Sequence, residues 1–361
     1  MTPQSLMAQT AYAELLERLL SFEYSRNIAN LKGSFAEKMV KGRPYVYYQY
    51  RDASSDVKQI YLGPKTPELE QMIANAADLR AQDAGNQEEL SKLARAFVAA
   101  GGIPLLSSHG KIIRELADSG VFRVGGILIG TQAFTAIGNL LGVQFEHGAQ
   151  KTMDIDIAKG NIHIAFPEVQ ADLPAALRRL EMGFLPVPPF DHNAPSTSYS
   201  IKRGEIRVDI VTAQTNEKTA PVKINSMNAY AQPLRFLDYI LENPAKCAIP
   251  TEPPILANVP DPARFAFHKL LVSQERHVTQ QTKVVKDVQQ AEQILDALLE
   301  LRIHDIKPAY DEMIDRGKGW SSRLVAGIAL MAKSFPETAE KLAELIDLPE
   351  PQPEKRHRPR N

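Results

Sequence analysis

The chain is 361 residues long, 44% hydrophobic and 24% charged, a globular composition with room for two or three domains that excludes wholesale disorder and collagen-like character. Its 42 Lys and Arg against 43 Asp and Glu leave a net charge of −1, which argues against a whole-surface nucleic-acid clamp while leaving room for a local basic patch. The single cysteine, Cys247, excludes an intramolecular disulfide and a Cys-rich metal cluster.

The first residues lack the basic-then-apolar pattern of a signal peptide, and no apolar run approaches the roughly 20 residues of a membrane span, so a cytoplasmic protein with no membrane contact is expected. Residues 4–30 read as a helix, with Leu6, Ala13, Leu15, Leu16, Leu19, Leu20 and Phe22 near a 3.6-residue period. From Gly33 to Pro64 the pattern becomes three short β-rich runs separated by Lys41-Gly-Arg-Pro and Asp52-Ala-Ser-Ser-Asp turns, an antiparallel meander. A long polar helix follows over about 66–99. The middle of the chain alternates. A helix over Ile112–Ala117 precedes an apolar β-run over Phe122–Ile129, and the Gly130-Thr131 turn opens a helix through Leu141. A strand over Met153–Ala158, a helix over Leu173–Leu180 and a hairpin over Thr197–Ile201 and Ile206–Thr212 complete it, a small mixed sheet with helices packed on it. From Pro262 onward the sequence is nearly all helix, with Trp320 expected as a core anchor, and a Pro-rich, then basic, stretch closes the chain as a disordered tail. The expectation is an α+β (mixed α/β) protein with four parts: an N-terminal helix and β-meander module (1–100), a mixed-sheet core (101–258), a helical domain (259–348) and the tail (349–361).

The segment Lys151-Thr-Met-Asp154-Ile-Asp156-Ile-Ala carries the most chemistry. In a strand, residues two apart share a face, so Asp154 and Asp156 project together while Ile155 and Ile157 enter the core. Two neighbouring carboxylates repel unless a cation lies between them, an arrangement suited to divalent ions that hold phosphate oxygens. Ile206-Arg-Val-Asp209-Ile-Val repeats the pattern, and Asp209 completes a three-carboxylate site if the two strands are neighbours. An Asp-x-Asp pair is also common in surface strands and turns. Upstream, Gly130-Thr131 at a helix N-terminus offers free backbone N–H groups and the positive end of the helix dipole to a triphosphate, although Thr131 is also a simple N-cap residue. Gly125-Gly126 is the rival position for this turn. With one cysteine and no His-x-x-x-His, any metal here must be held by carboxylates, which favours Mg²⁺ or Mn²⁺ over zinc.

These residues, in this order, resemble the DNA polymerase β-type nucleotidyltransferase superfamily, marked by a Gly-[Gly/Ser] turn, an Asp-x-Asp pair and a distant third Asp. Within it they are most similar to a bacterial nucleotidyltransferase-like branch related to abortive-infection type toxins. That branch carries an Arg/Lys-[Ser/Thr]-x-Asp-x-Asp motif, here Lys151, Thr152, Asp154 and Asp156. It also carries a helical Lys…Arg…Lys-Asp segment, here Lys269, Arg276, Lys286 and Asp287. The resemblance covers about residues 120–300. Two features depart from it: a longer spacer between Thr131 and Asp154, read as an insertion or extra strand over Gly138–Gln150, and Thr131 in place of Ser or Gly.

The resemblance implies transfer of a nucleoside monophosphate from a nucleoside triphosphate to an acceptor hydroxyl, with pyrophosphate released. Asp154, Asp156 and Asp209 would hold two Mg²⁺ or Mn²⁺ ions. Gly130, Thr131, Lys151, Thr152, Lys286 and Asp287 would bind the nucleotide, and Lys269 would supply a point charge for its triphosphate. Without the resemblance, Lys286-Asp287 reads as an exposed ion pair on an amphipathic helix. RNA, tRNA among it, is the favoured acceptor and a protein hydroxyl the second. A non-catalytic nucleic-acid- or partner-binding protein on the same scaffold and a toxin–antitoxin component, acting with a protein partner or as a homo-oligomer, are the alternatives.

One local imbalance stands out against the near-neutral total. Residues 30–65 hold seven Lys or Arg, three acids and five of the 11 tyrosines, and aromatics among cations are what single-stranded RNA or DNA contact requires. Tyrosine is equally a favoured strand residue that needs no ligand.

Overall fold

The computed structural model describes residues 1–25, 33–40, 42–51, 57–146, 154–159, 171–189, 191, 193–201, 206–215, 217 and 219–346; for residues 24, 25, 48, 50, 51, 58, 60, 62, 68, 72, 75–84, 154–159 and 278 it describes the backbone alone. The chain divides into two compact units, one of residues 2–144 and 150–260, the other of Met1, 145–149 and 261–361.

In the first unit, β1 (Thr2–Pro3) leads into α1 (Leu6–Ser25). The meander follows as β2 (Gly33–Val40), β3 (Arg43–Arg51) and β4 (Val57–Pro64), three antiparallel strands in sequence order. The next helix, α2 (Pro67–Ala99), starts where Thr66 accepts a hydrogen bond from the Leu69 N–H and Pro67 occupies the first turn, both standard N-terminal devices. Leu15, Leu19, Leu90, Ala94 and Phe97 form a shared core between α1 and α2, with Tyr12 and Phe97 ring centroids 5.2 Å apart.

The rest of the unit is built on a mixed sheet. In chain order come α3 (Ser107–Asp118), β5 (Gly126–Ile129), α4 (Gly130–Leu141), β6 (Val143–Gln144), β7 (Asp154–Lys159), α5 (Leu173–Arg179), β8 (Phe184–Pro186), β9 (Ser198–Ile201) and β10 (Arg207–Ala213). Then follow β11 (Val222–Ile224), β12 (Ala229–Leu234), α6 (Leu237–Leu241) and an antiparallel hairpin, β13 (Ala245–Ile249) with β14 (Ile255–Val259). The sheet order is β11-β12-β10-β7-β5. Strand β10 runs parallel to both β7 and β12, β5 is antiparallel to β7, and β9 joins β8 to β10. On β10 the alternation is plain: Val208 and Ile210 are buried, Arg207 is exposed and Asp209 half-buried. This is an α+β fold.

The second unit is helical, α7 (Pro262–Ser273), α8 (Gln281–Leu301), α9 (Ile306–Asp315), α10 (Lys318–Ser334) and α11 (Pro336–Leu345). Asp261 caps α7 by accepting from the Arg264 N–H, and Gly327 lets α10 approach the Leu270 carbonyl of α7 more closely than any Cβ would allow. Among the described residues no helix is long and apolar enough to cross a membrane.

Three sequence expectations meet a different outcome. The apolar run Phe122–Ile129 is strand only from Gly126, because Arg123 and Val124 both turn back to donate to the Gly120 carbonyl. Thr131 is not the cap of α4: Ile129 occupies that position, and Thr131 lies buried inside the first turn. Trp320 is half-buried, not a core anchor, and the Arg316 guanidinium sits 5.2 Å from its ring centroid. The spacer before Asp154 does hold an extra strand: α4 runs to Leu141 and is followed by the short β6, which pairs antiparallel with β1. The Arg203-Gly204 turn and the tail 349–361 lie outside the described residues.

Candidate functional site

The carboxylates come together through strand register. Parallel pairing sets Asp209 of β10 opposite Asp156 of β7, and Arg207 opposite Asp154. On its other edge β7 pairs with β5, and Ile129 faces Asp156. The residue after Ile129 is Gly130, at φ +68°, where the chain leaves the sheet for α4. One backbone level of the sheet thus holds Asp156, Asp209 and the entry to the Gly130-Thr131 turn. Gly125, at φ +88°, sits at the opposite end of β5, and Gly126 packs so tightly on the Val121 carbonyl that a Cβ there would collide with it.

Asp209 is held by two partners. Arg207 Nε donates to its Oδ1 at 2.7 Å, Ser198 Oγ donates to the same oxygen, and Arg207 also reaches Ser198 Oγ at 2.8 Å. Both contacts fall on Oδ1. Neither Arg207 nor Ser198 stands out in the sequence as a site residue, yet both follow from strand arithmetic. Arg207 lies two residues before Asp209 on one strand, and Ser198 lies opposite Asp209 across the β9–β10 hairpin.

The loop that feeds β5 is anchored by Asn258, 1% exposed on β14. Its Nδ2 donates to the Phe122 and Gly126 carbonyls at 2.8 and 2.7 Å, and its Oδ1 accepts from Lys246. Asn258→Ala would strand two buried carbonyls and the Lys246 amine. Each buried polar group left unmet costs about 1–3 kcal/mol, so thermal denaturation should show a loss of about 3 kcal/mol. On the other side of the turn, Gln132 Nε2 in the first turn of α4 hydrogen-bonds His109 Nδ1 on α3 at 2.9 Å, both side chains buried.

The remaining sequence candidates fall in two groups. Lys151 and Thr152 lie outside the described residues. Lys269, Lys286 and Asp287 belong to the helical unit, and Asp287 is no exposed ion pair: it is 3% exposed. Lys269 Nζ reaches its Oδ1 at 2.7 Å and Arg276 Nε its Oδ2 at 3.0 Å, so α7, α8 and the segment between them are tied by one carboxylate. Burial alone would raise the Asp287 pKa, but the charges and hydrogen bonds of Lys269 and Arg276 outweigh it and hold the carboxyl below its usual range. His268 beside them is buried, its Nε2 makes no hydrogen bond among the described residues, and burial followed by the Lys269 charge pushes its pKa down to about 3. Lys286 is half-buried next to Asp287 on α8.

Among the described side chains no three His, Cys, Asp or Glu form a metal-binding group; those of Asp154 and Asp156 are outside that set. The donor chemistry fits a hard cation all the same. Register brings Asp209 opposite Asp156, whereas Cys247 is buried in a thiol form, its pKa pushed up to about 12 by burial.

No curated protein sequence matches the chain. Among solved structures, the chain is similar to an antigenic nucleotidyltransferase-like protein from Paracoccidioides brasiliensis at 14% identity and a TM-score of 0.38, over 66% of this chain and 94% of that one. A family model described as Nucleotidyltransferase matches residues 107–315, from α3 through α9 and across every candidate residue above. That match spans more than half of the sequence, and the chain belongs to this nucleotidyltransferase family.

Proposed function

We propose that the protein is a cytoplasmic, metal-dependent nucleotidyltransferase that moves a nucleoside monophosphate from a nucleoside triphosphate to an acceptor hydroxyl and releases pyrophosphate. The observation that carries this reading is the register of β7 and β10, which sets Asp209 opposite Asp156 beside the strand that enters the Gly130-Thr131 turn. Asp154, Asp156 and Asp209 would hold Mg²⁺ or Mn²⁺. When bound, such ions draw charge off the phosphoryl oxygens and orient the attacking and leaving oxygens in line. The backbone N–H groups of the first turn of α4 are the donors available to the triphosphate, at the positive end of the helix dipole. Arg207 and Ser198 fix the rotamer of Asp209. RNA, tRNA included, is the favoured acceptor, in keeping with the resemblance to toxin-like relatives.

A second reading rests on the Arg207–Asp209 pair: a carboxylate already bonded to a guanidinium suits a scaffold that binds without transferring. One experiment separates them. Each α-labelled triphosphate is incubated with Mg²⁺ or Mn²⁺ and total RNA or total protein. Transfer predicts label in an RNA product, reduced at least ~10³-fold in Asp154→Ala, the scale of losing several kcal/mol of transition-state stabilisation. Labelling unchanged in that variant removes the carboxylates from the chemistry.

A further inference from the structure

The geometry points to a docking surface for single-stranded nucleic acid on one face of the β2–β3–β4 sheet. Strand alternation and register place Lys38 of β2, Arg43, Tyr45 and Tyr47 of β3 and Gln59 and Tyr61 of β4 on that face. Three of these side chains are rings in contact. Tyr61 lies 6.0 Å from Tyr45 and 5.5 Å from Tyr47, centroid to centroid, with the planes tilted by 45° and 57°. Lys38 Nζ stands 5.0 Å over the Tyr47 ring and donates to Gln59 Oε1 at 2.5 Å, which fixes a cation among the rings. Tyr61 is 55% exposed, and Arg43 is exposed on the same face. On the opposite face Val46 is 3% exposed, whereas Tyr61 stands open on this one.

A cluster of tyrosines that served only to fill a core would be covered, and a purely solvated face would not spend three rings. Rings and cations interleaved at this spacing match what a nucleic-acid strand offers: base faces that stack on any aromatic, and a phosphate on each nucleotide to meet a fixed ammonium or guanidinium. Lys38 and Arg43 supply the complementary sign on this face, while Glu37 lies on the other one, opposite Val46. Stacking reads the π-face and not the base edge, so the surface is tolerant of sequence. This inference does not depend on nucleotidyl transfer.

The test is fluorescence anisotropy of the full chain, without triphosphate or metal, against labelled oligouridine, oligothymidine and a mixed duplex, each about twelve units long. Both single strands are expected to bind at low salt, and their relative affinities tell an RNA from a DNA partner. Tyr61→Ala and Tyr47→Ala should each weaken binding about 5- to 100-fold, whereas Tyr61→Phe, which keeps the ring, should bind within about twofold of wild type. Lys38→Ala should flatten the slope of log Kd against log salt by about 0.7. Met39→Ser, on the opposite face of the same strand, should change nothing. Absence of single-strand binding, wild-type affinity in both tyrosine-to-alanine variants, or preference for the duplex overturns the proposal. So does a dimer in sedimentation that Tyr61→Ala dissolves, since a second copy of the chain would then cover the face.

Discussion

Asp209→Asn is expected to lower nucleotidyl transfer by roughly 10³-fold, about 4 kcal/mol of transition-state stabilisation, while leaving the fold in place. The two halves of this expectation rest on different physics. Asparagine keeps the volume and one side-chain oxygen, so Ser198 and Arg207 retain their acceptor. Only the ion pair with Arg207 is lost, and Arg207 is 46% exposed there, where such a pair contributes about 0–1 kcal/mol. The charge that Asp209 would bring to a divalent cation is lost entirely. Transfer of labelled nucleotide should therefore collapse while the melting curve stays within a few degrees of wild type, as about 1 kcal/mol shifts Tm by only ~2–4 °C in a chain of this size. A variant that transfers normally would show that the proximity of Asp156 and Asp209 is architectural.

The second large effect belongs to the helical unit. Asp287→Ala removes one acceptor from two cations, and Lys269 has a side chain only 13% exposed. A buried charge left without its partner costs about 3–5 kcal/mol, whereas replacing the whole pair by apolar groups costs far less. Urea denaturation should thus show Asp287→Leu/Lys269→Met losing less stability than the sum of the single variants, a coupling of about 1–3 kcal/mol. The same cluster sets an acid limit. Asp287 has its pKa lowered in the native state, so its contribution is complete above the unfolded value of about 3.9 and is lost as pH falls through the native one. For His268, the unfolded chain takes up a proton below about pH 6.5 while the native side chain, shielded by burial and faced by Lys269 and Arg276, waits until about 3. Stability therefore declines as pH drops from 6.5 towards 3, by up to about 1.4 kcal/mol per pH unit. His268→Gln should flatten that slope between pH 6 and 4, and an unchanged slope would assign it to another group.

Residue patterns carried the meander, the long α2, the β7 and β10 strands and the helices after Pro262 because each has an unambiguous period. Ile155 and Ile157 alternate with acids, and Val208 and Ile210 flank Asp209. Register was harder to read: that β10 lies parallel to β7 with Asp209 opposite Asp156 depends on which strands become neighbours. The β13–β14 hairpin escaped notice because Pro250, Pro253 and Pro254 between its strands look like a linker. Its role is tertiary. Ala248 joins the α1–α2 core and its N–H donates to Tyr12 Oη at 3.1 Å, a contact that no local pattern announces. Asp287 misled for a related reason, since a helical period places it on a face but does not say which neighbouring helix covers that face.

The parallel pairing of β7 with β10 has a kinetic consequence. Parallel neighbours cannot be joined by a tight turn, and here α5, β8 and β9 must be threaded between them before Asp156 and Asp209 face each other. The closure entropy is spent before any cross-strand contact returns it, so this pairing belongs to the slow part of folding. During synthesis a nascent chain that already displays β7 still lacks the strand that completes the candidate site. The carboxylates therefore stay apart until the sheet is almost built, and a truncated product ending before β10 would carry the Asp-x-Asp motif without a place to use it.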